Sequence, residues 1–370
     1  MQNNQKDMGK NNNDFRAIFV LLTLVILILA GLYLYGKNEG NTDAPALNNE
    51  ESTVPNTEMP QEESETTQET SSEEESILYP EPEYEFTTEE VTITIEGLSK
   101  EYTLAWVSDL HLISDHESGE LLGDVHVEYL DAIHQRYEEL AITEDGVHAE
   151  DLWPEIVKYL NYNAFDGVIF GGDIMDYCSN SNIALIKEGL DNLHIPYIYI
   201  RADHDYGAYY GGIFFTETEA RTLHQTIDED QISNKFWDRN DFIVLGIDHS
   251  TKDMPEYYLN MVKDVYSRGK PVIMVTHVPY ESRMDDSLAE LSMQERGKIY
   301  YWSQESKQFQ PNVITQQYLE LIYDKDTIVE QVLAGHLHAS WDGKLSEQVS
   351  QHIFSPAFRG TIGIIHIVPK

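Results

Sequence analysis

The chain of 370 residues contains a single cysteine, Cys178. No disulfide can form within it, and the thiolate sites of zinc ribbons and fingers are excluded. Positive charge is also scarce: 24 Lys and Arg face 65 Asp and Glu, a formal net charge of -41. Nucleic-acid affinity comes largely from basic side chains neutralising phosphates, so no nucleic-acid polymer is expected as a partner. The H-E-x-x-H pattern of metallopeptidases is absent, and His116-Glu117 leads to no second histidine at that spacing. Apolar residues are not lacking. At 41% hydrophobic, with 23 Tyr, the chain can fill one large core.

The acid is unevenly spread. Residues 1–37 hold Lys6, Lys10, Arg16 and Lys37 against Asp7 and Asp14, whereas residues 38–90 hold 17 acids and no Lys or Arg. One long apolar run, residues 17–35, reads AIFVLLTLVILILAGLYLY. In a helix it would reach about 28 Å, enough for a hydrocarbon core of roughly 30 Å. Tyr33 and Tyr35 stand at one end, where amphipathic rings favour the interface. Three basic residues precede the run and one follows, so the N-terminus is expected to stay cytoplasmic. A cleaved signal peptide fits less well, because the nearest A-x-A, at Ala44 and Ala46, lies beyond the run. Leu29-Ala30-Gly31 starts like a bacterial lipobox, but Leu32 stands where the lipidated cysteine would be.

The following residues, up to Phe86, are rich in Glu, Thr, Ser, Asn and Pro and cannot bury enough surface to offset their ordering entropy. The expected organisation is a cytoplasmic N-terminus at 1–16, a transmembrane helix at 17–35, a disordered acidic linker at 36–86 and a globular body at 87–370. Such a protein is single-pass in the cell membrane, with the body extracytoplasmic. The sequence gives no signal of oligomeric state.

The body alternates in pattern. VTITIE (91–96) and TLAWVS (103–108) read as strands, and short apolar runs recur at 168–170, 195–200, 242–247, 272–275 and 329–333. Residues 126–140 place Val127, Leu130, Ile133, Tyr137 and Leu140 on one helical stripe. Leu152–Leu160 repeats the habit with Pro154 in a first turn, and 183–193 and 312–323 also read as helices. Strands are expected again at 343–347, 352–355 and 362–368. The fold class is therefore α/β, with a mixed sheet among helices.

Five of the apolar runs end in Asp and His. Asp109-Leu110-His111 follows one, Gly171-Gly172-Asp173 a second and Asp203-His204-Asp205 a third; His277 follows a fourth, and Gly335-His336-Leu337-His338 the last. A single Asp after a strand is usually a turn former, and a single His beside an apolar run is usually structural. Five together supply carboxylate and imidazole and no thiol, a ligand set suited to divalent Mn, Fe, Zn or Ni. D-x-H and H-x-H each direct two side chains to the same side of an extended or turning backbone. Gly171, Gly172 and Gly335 are expected to let the backbone approach the ions closely.

In these five blocks the sequence resembles the calcineurin-like metallophosphoesterases, whose signature runs D-x-H, G-D-x-x-D, G-N-H-D/E, H, G-H-x-H. The resemblance covers roughly residues 87–370. It implies a sandwich of two β-sheets flanked by helices, and two divalent metal ions. Asp109, His111, Asp173 and His338 would hold the first ion. Asp173 would bridge to the second, held also by Asp203, His277 and His336. His204 would be the acid near the leaving group, with Asp205 orienting it. The implied reaction is hydrolysis of a phosphate mono- or diester by a hydroxide shared between the ions.

One position departs from the signature: Ala202-Asp203 replaces the usual Gly-Asn. Two divalent ions facing Asp109 and Asp173 leave two net positive charges, and Asp203 reduces them to one. The alternative reading is a membrane-tethered binding or sensory domain that keeps the fold without turnover. Ser/Thr protein phosphatases carry an Arg shortly after the G-D block, and Ile174–Cys178 contains none. Purple acid phosphatases carry a Tyr three residues after the bridging Asp, where Asp176 stands. Tyr206–Gly212 could line a leaving-group pocket or simply pack, and Arg359 is expected in a surface ion pair. Asp248 and His249 read as structural, and His116, His126, His134 and His194 as surface residues.

Overall fold

The computed structural model describes residues 79–114, 130–209, 213–214, 225, 227, 235–248 and 254–370. The apolar run at 17–35 and the acidic linker up to residue 78 lie outside the described residues, as do His116, His126 and His249. Among the described residues no helix is long and apolar enough to cross a membrane.

Two mixed sheets face each other. The first has the order β1-β13-β2-β3-β4, formed by Thr87–Ile95 (β1), Thr361–Pro369 (β13), Tyr102–Val107 (β2), Gly167–Phe170 (β3) and Tyr197–Tyr199 (β4). The second has the order β11-β12-β10-β9-β8-β7. Its strands are Trp341–Lys344 (β11), Ser350–Ile353 (β12), Val329–Ala334 (β10), Val272–Thr276 (β9), Ile243–Ile247 (β8) and Phe236–Asp238 (β7). Gly207–Tyr209 (β5) and Ile213–Phe214 (β6) form a separate short hairpin.

Alternation along the strands builds the layers. In β2, Leu104 and Trp106 enter the core between the sheets, while Ala105 and Val107 face the helices outside. In β9, Ile273 and Val275 point inward, while Val272 and Met274 meet the other helix layer. The helices Leu130–Glu139 (α1), Ala149–Tyr162 (α2) and Asn180–Asp191 (α3) cover the first sheet, burying Ile133, Trp153, Ile156 and Ile186. Glu256–Ser267 (α4) and Val313–Tyr323 (α6) cover the second with Val262, Tyr318 and Ile322, and Ser287–Arg296 (α5) lies between them in the chain. The result is the expected two-sheet α/β sandwich.

Several local expectations shift. α2 begins at Ala149, so Pro154 sits in the second turn rather than the first. α3 begins earlier than expected because Ser179 caps it, accepting from the Asn182 amide. The strand expected at 343–347 is β11, Trp341–Lys344, its register set by antiparallel pairing of Trp341 with Ile353. The chain between Tyr79 and Phe86, read from composition as linker, packs on the body. The amides of Glu83 and Tyr84 donate to Glu155, and Tyr84 and Phe86 join the first helix layer.

The parallel strands place their carboxyl ends side by side. Val107 pairs with Phe170 and Phe170 with Tyr199; in the other sheet, Ile247 pairs with Thr276 and Val275 with Leu333. The five Asp- and His-bearing segments therefore leave both sheets at one edge, the position at which α/β sheets present their sites.

Candidate metal centre

The backbone at this edge is unusual. Asp109, His111, Asp173, His336 and His338 have φ of 53°, 50°, 52°, 73° and 57°, and they are the only non-glycine residues with positive φ among those described. Such left-handed positions cost of order 1–3 kcal/mol each and persist only where the surroundings fix them. Backbone pairing between the segments does the fixing. The amides of Asp109 and His111 donate to the carbonyls of Gly172 and Asp173 at 2.9 and 3.0 Å, and Gly335 donates to His277 at 3.1 Å. The His336 amide donates to the Asp109 carboxylate at 3.0 Å. Gly335 must lack a side chain, because a Cβ there would stand 2.3 Å from Asp109 Oδ2. Gly171 serves packing rather than access to the centre: its missing Cβ leaves room for the Trp106 ring.

All seven residues expected as ligands converge. Asp109, His111 and His338 form one group, and Asp173, Asp203, His277 and His336 a second, with candidate ligand atoms in each group lying within 4.8 Å of one another. Asp173 stands between them, its Oδ2 3.1 Å from His277 Nε2 and 3.9 Å from His111 Nε2. His111 Nε2 and His338 Nε2 approach to 3.0 Å, and His338 Nε2 lies 3.5 Å from Asp109 Oδ1. Two of the histidines are aimed by their far nitrogens. His111 Nδ1 bonds Asp176 Oδ1 at 2.8 Å and His277 Nδ1 bonds the Gly171 carbonyl at 2.9 Å, leaving each Nε2 for the centre.

Asp203 Oδ1 and His336 Nε2 are buried without a hydrogen-bond partner, and His277 Nε2 has only Asp173 Oδ2 beside it. Buried polar atoms are normally paired, so two orphans in one group mark the place of a cation. The electrostatics agree. Burial and the charge of Asp173 push the Asp203 carboxyl up to about 6. Burial disfavours charge on His277, yet Asp173 and Asp109 overcome it and lift its pKa to about 10. Without cations these carboxylates are compensated by protons, which metal ions would displace. Carboxylate and imidazole without thiolate fit two transition-metal ions.

Asp205 makes contacts other than those expected of it. His204 is half-buried beside His111 and Asp173, within reach of the centre. Its Nδ1 lies 2.8 Å from the Asp176 carbonyl and 3.2 Å from Asp176 Oδ1. Burial opposes a charge on this ring, but Asp173 and Asp176 hold its pKa well above the ordinary histidine value. The contacts that orient His204 thus come from Asp176, where the sequence suggested Asp205. The Asp205 carboxylate instead accepts the backbone amides of Asp173 and Ala202, both at 2.8 Å, and of Met175 at 3.3 Å. It ties the second and third segments together from behind, because the turn after Ala202 aims it at those amides.

Sequence reasoning also passed over four residues. Asp176 is fully buried and receives Arg136 Nε at 2.6 Å as well as Arg136 Nη2. Burial opposes its ionisation, but Arg136 holds the carboxyl well below the usual range. Arg296 and Tyr300 line the cavity beside His336, and the Tyr300 ring stacks on His336 at 4.3 Å. Asp176 had a visible signal in the D-x-x-D spacing; Arg136, Arg296 and Tyr300 had none. Arg359 forms no ion pair among the described residues and donates to the His338 carbonyl at 3.2 Å. Tyr206 packs inward and donates to Asp248, which also pairs with the buried Arg201 at 2.7 Å; Asp248 is structural, as read. His134 and His194 are exposed, and His194 stacks against Tyr79.

Among solved structures, the chain is similar to a dimetal phosphatase from Danio rerio, at 11% identity over 70% of this chain and 88% of that one, with a TM-score of 0.40. It is also similar to a phosphopantetheinyl hydrolase from Mycobacterium tuberculosis, at 13% identity over 69% and 89%, with a TM-score of 0.33. Both likenesses are too distant to bear on activity. No curated protein matches the chain. The calcineurin-like phosphoesterase profile matches residues 102–340, more than half the chain and every one of the five converging segments, so the chain belongs to that family.

Proposed function

We propose that the protein is a membrane-anchored, extracytoplasmic metal-dependent phosphoesterase. The observation that carries the chemistry is the pair of ligand groups with Asp173 Oδ2 between them, 3.1 Å from His277 Nε2 and 3.9 Å from His111 Nε2, and with Asp203 Oδ1 and His336 Nε2 buried without a partner. Asp109, His111, Asp173 and His338 would hold one divalent ion, and Asp173, Asp203, His277 and His336 the other. When bound, such ions supply Lewis acidity and make water nucleophilic at neutral pH. The chain's own residues do the rest. His204 is held through Nδ1 by Asp176, which presents its Nε2 as the group that protonates the departing alkoxide. Asp205 keeps the His204 turn fixed against the Asp173 segment.

The anchoring half of the reading rests on the sequence: residues 1–16 inside, 17–35 spanning, 36–86 as an acidic tether whose last residues, from Tyr79, pack on the body, and the body outside. The second reading, a tethered binding domain without turnover, is favoured by Asp203, whose carboxylate lowers the charge of the centre. A panel of phosphate esters, run with metal analysis on the same full-length preparation, decides between them. His204→Ala should lower turnover by roughly 10²–10⁴-fold on esters with poor leaving groups and far less on nitrophenyl phosphate, with metal content unchanged. Metal-loaded wild type without turnover on any ester leaves the binding-domain reading.

A further inference from the structure

We infer that Arg296 makes the metal cavity selective for phosphate monoesters, by holding the terminal phosphate oxygen that a diester lacks. This rests on the phosphoesterase reading above. The cavity at the centre, about 230 Å³, is lined by two guanidiniums, Arg136 and Arg296, together with Tyr300, Leu140 and the metal-centre residues. The two arginines are in different states. Arg136 is engaged by the Asp176 carboxylate through two nitrogens, so its charge is already matched. Arg296, the last residue of α5, donates Nη2 to the His336 carbonyl at 2.6 Å. Its Nε is buried without a partner, and no carboxylate pairs with it among the described residues. Its Cζ lies 5.6 Å from the Tyr300 ring, which stacks on His336, so the guanidinium is held at the cavity wall beside a candidate ligand. In a chain of formal net charge -41, this is a cation with no acid partner at the centre among the described residues.

Charge shows what it fits. Two divalent ions facing Asp109, Asp173 and Asp203 leave one net positive charge. Arg296 raises that to two, while Arg136 and Asp176 cancel. A monoester dianion carries two negative charges and three terminal oxygens; a diester monoanion carries one and two. An attacking hydroxide and the proton delivered to the leaving oxygen offset each other and are common to both. The cavity therefore matches the dianion, and Arg296 restores the charge that Asp203 removes. A guanidinium also presents parallel N–H donors, suited to a phosphate oxygen.

The test uses the metal-loaded full-length chain and compares wild type with Arg296→Gln and Arg296→Lys. Phenyl phosphate and bis(phenyl) phosphate serve as substrates. Calorimetric titration with inorganic phosphate reads binding without turnover, and elemental analysis with circular dichroism checks that ions and fold are kept. Wild type should prefer the monoester. Arg296→Gln should lose about 10–100-fold in kcat/KM on it, less than about 3-fold on the diester, and about 10-fold in phosphate affinity. Arg296→Lys should recover part of both losses. Equal losses on the two esters, a wild type that prefers the diester, or unchanged phosphate affinity would overturn the inference. If neither ester is turned over, the enzyme reading fails, and the titration alone decides whether Arg296 holds phosphate.

Discussion

Asp109 and His111, in the first ligand group, are braced by polar contacts, whereas His336, in the second, is braced by aromatic packing. In the first group Ser108 donates to Asp109 Oδ2 at 2.6 Å, and Asp176, matched by Arg136, holds the far nitrogen of His111. In the second, His336 is stacked by Tyr300 and met edge-on by Phe309 at 4.9 Å. The two orphaned buried atoms of the centre, Asp203 Oδ1 and His336 Nε2, both belong to the second group. Asp109 and His111 are thus preset by hydrogen bonds, while the second group has buried polar atoms that a cation would satisfy. The difference teaches that the two ions should be separable by mutation, although Asp173 stands between the groups.

Asp173→Asn strikes the residue that stands between the two groups and should have the largest effect. Both ions are expected to be lost and turnover to fall to background, as read by elemental analysis and an ester assay; retention of either ion would show that Asp173 is not shared. Asp176→Asn comes next. It loosens His111 and His204 together, and a cost of about 10–100-fold in turnover is expected, with selective loss of the first ion. Loss of both ions at once would mean the groups behave as a single unit. Asp203→Asn should be milder: activity persists and the second ion dissociates more readily, which a chelator titration measures. Its mirror relation to Asp176→Asn is the sharpest check of the comparison.

The smallest effect lies outside the centre. Burial opposes ionisation of Glu89, but hydrogen bonds from His352, Ser340 and Ser355 overcome it and hold its pKa at about 2, below its ordinary 4.5. A depressed carboxyl stabilises the fold above its ordinary pKa, and that stability is lost as pH falls from 4.5 towards 2. Glu89→Gln should flatten the acid limb of the stability curve in that window without changing metal content. An unchanged limb in urea unfolding would remove Glu89 from the account.

Much of the site was legible because its ligands follow strands that are themselves legible. VTITIE buries Val91, Ile93 and Ile95 and exposes Thr92 and Thr94, as alternation demands. Asp109, Asp173, Asp203, His277 and the H-x-H pair stand where apolar runs end, and chain order alone lines them up. What surrounds them was not legible. Arg136 reaches Asp176 across 40 residues, from a helix whose periodicity says which face is buried but not which strand end it meets, and Arg296 reaches His336 across another 40, from a helix without a clear apolar stripe. Composition likewise counted Tyr84 and Phe86 as linker, although they find apolar partners on the body.

By itself, then, the sequence determined the layers, the edge at which the site lies and the chemistry of its ligands, because these depend on local periodicity and residue type. Only the tertiary structure decided the left-handed backbone at five ligands, the exchange of Asp205 for Asp176 as the partner of His204, and the contrast between a neutralised Arg136 and an unmatched Arg296. Each is set by contacts between segments far apart in the chain, and side-chain direction there follows from how the two sheets and their helices pack.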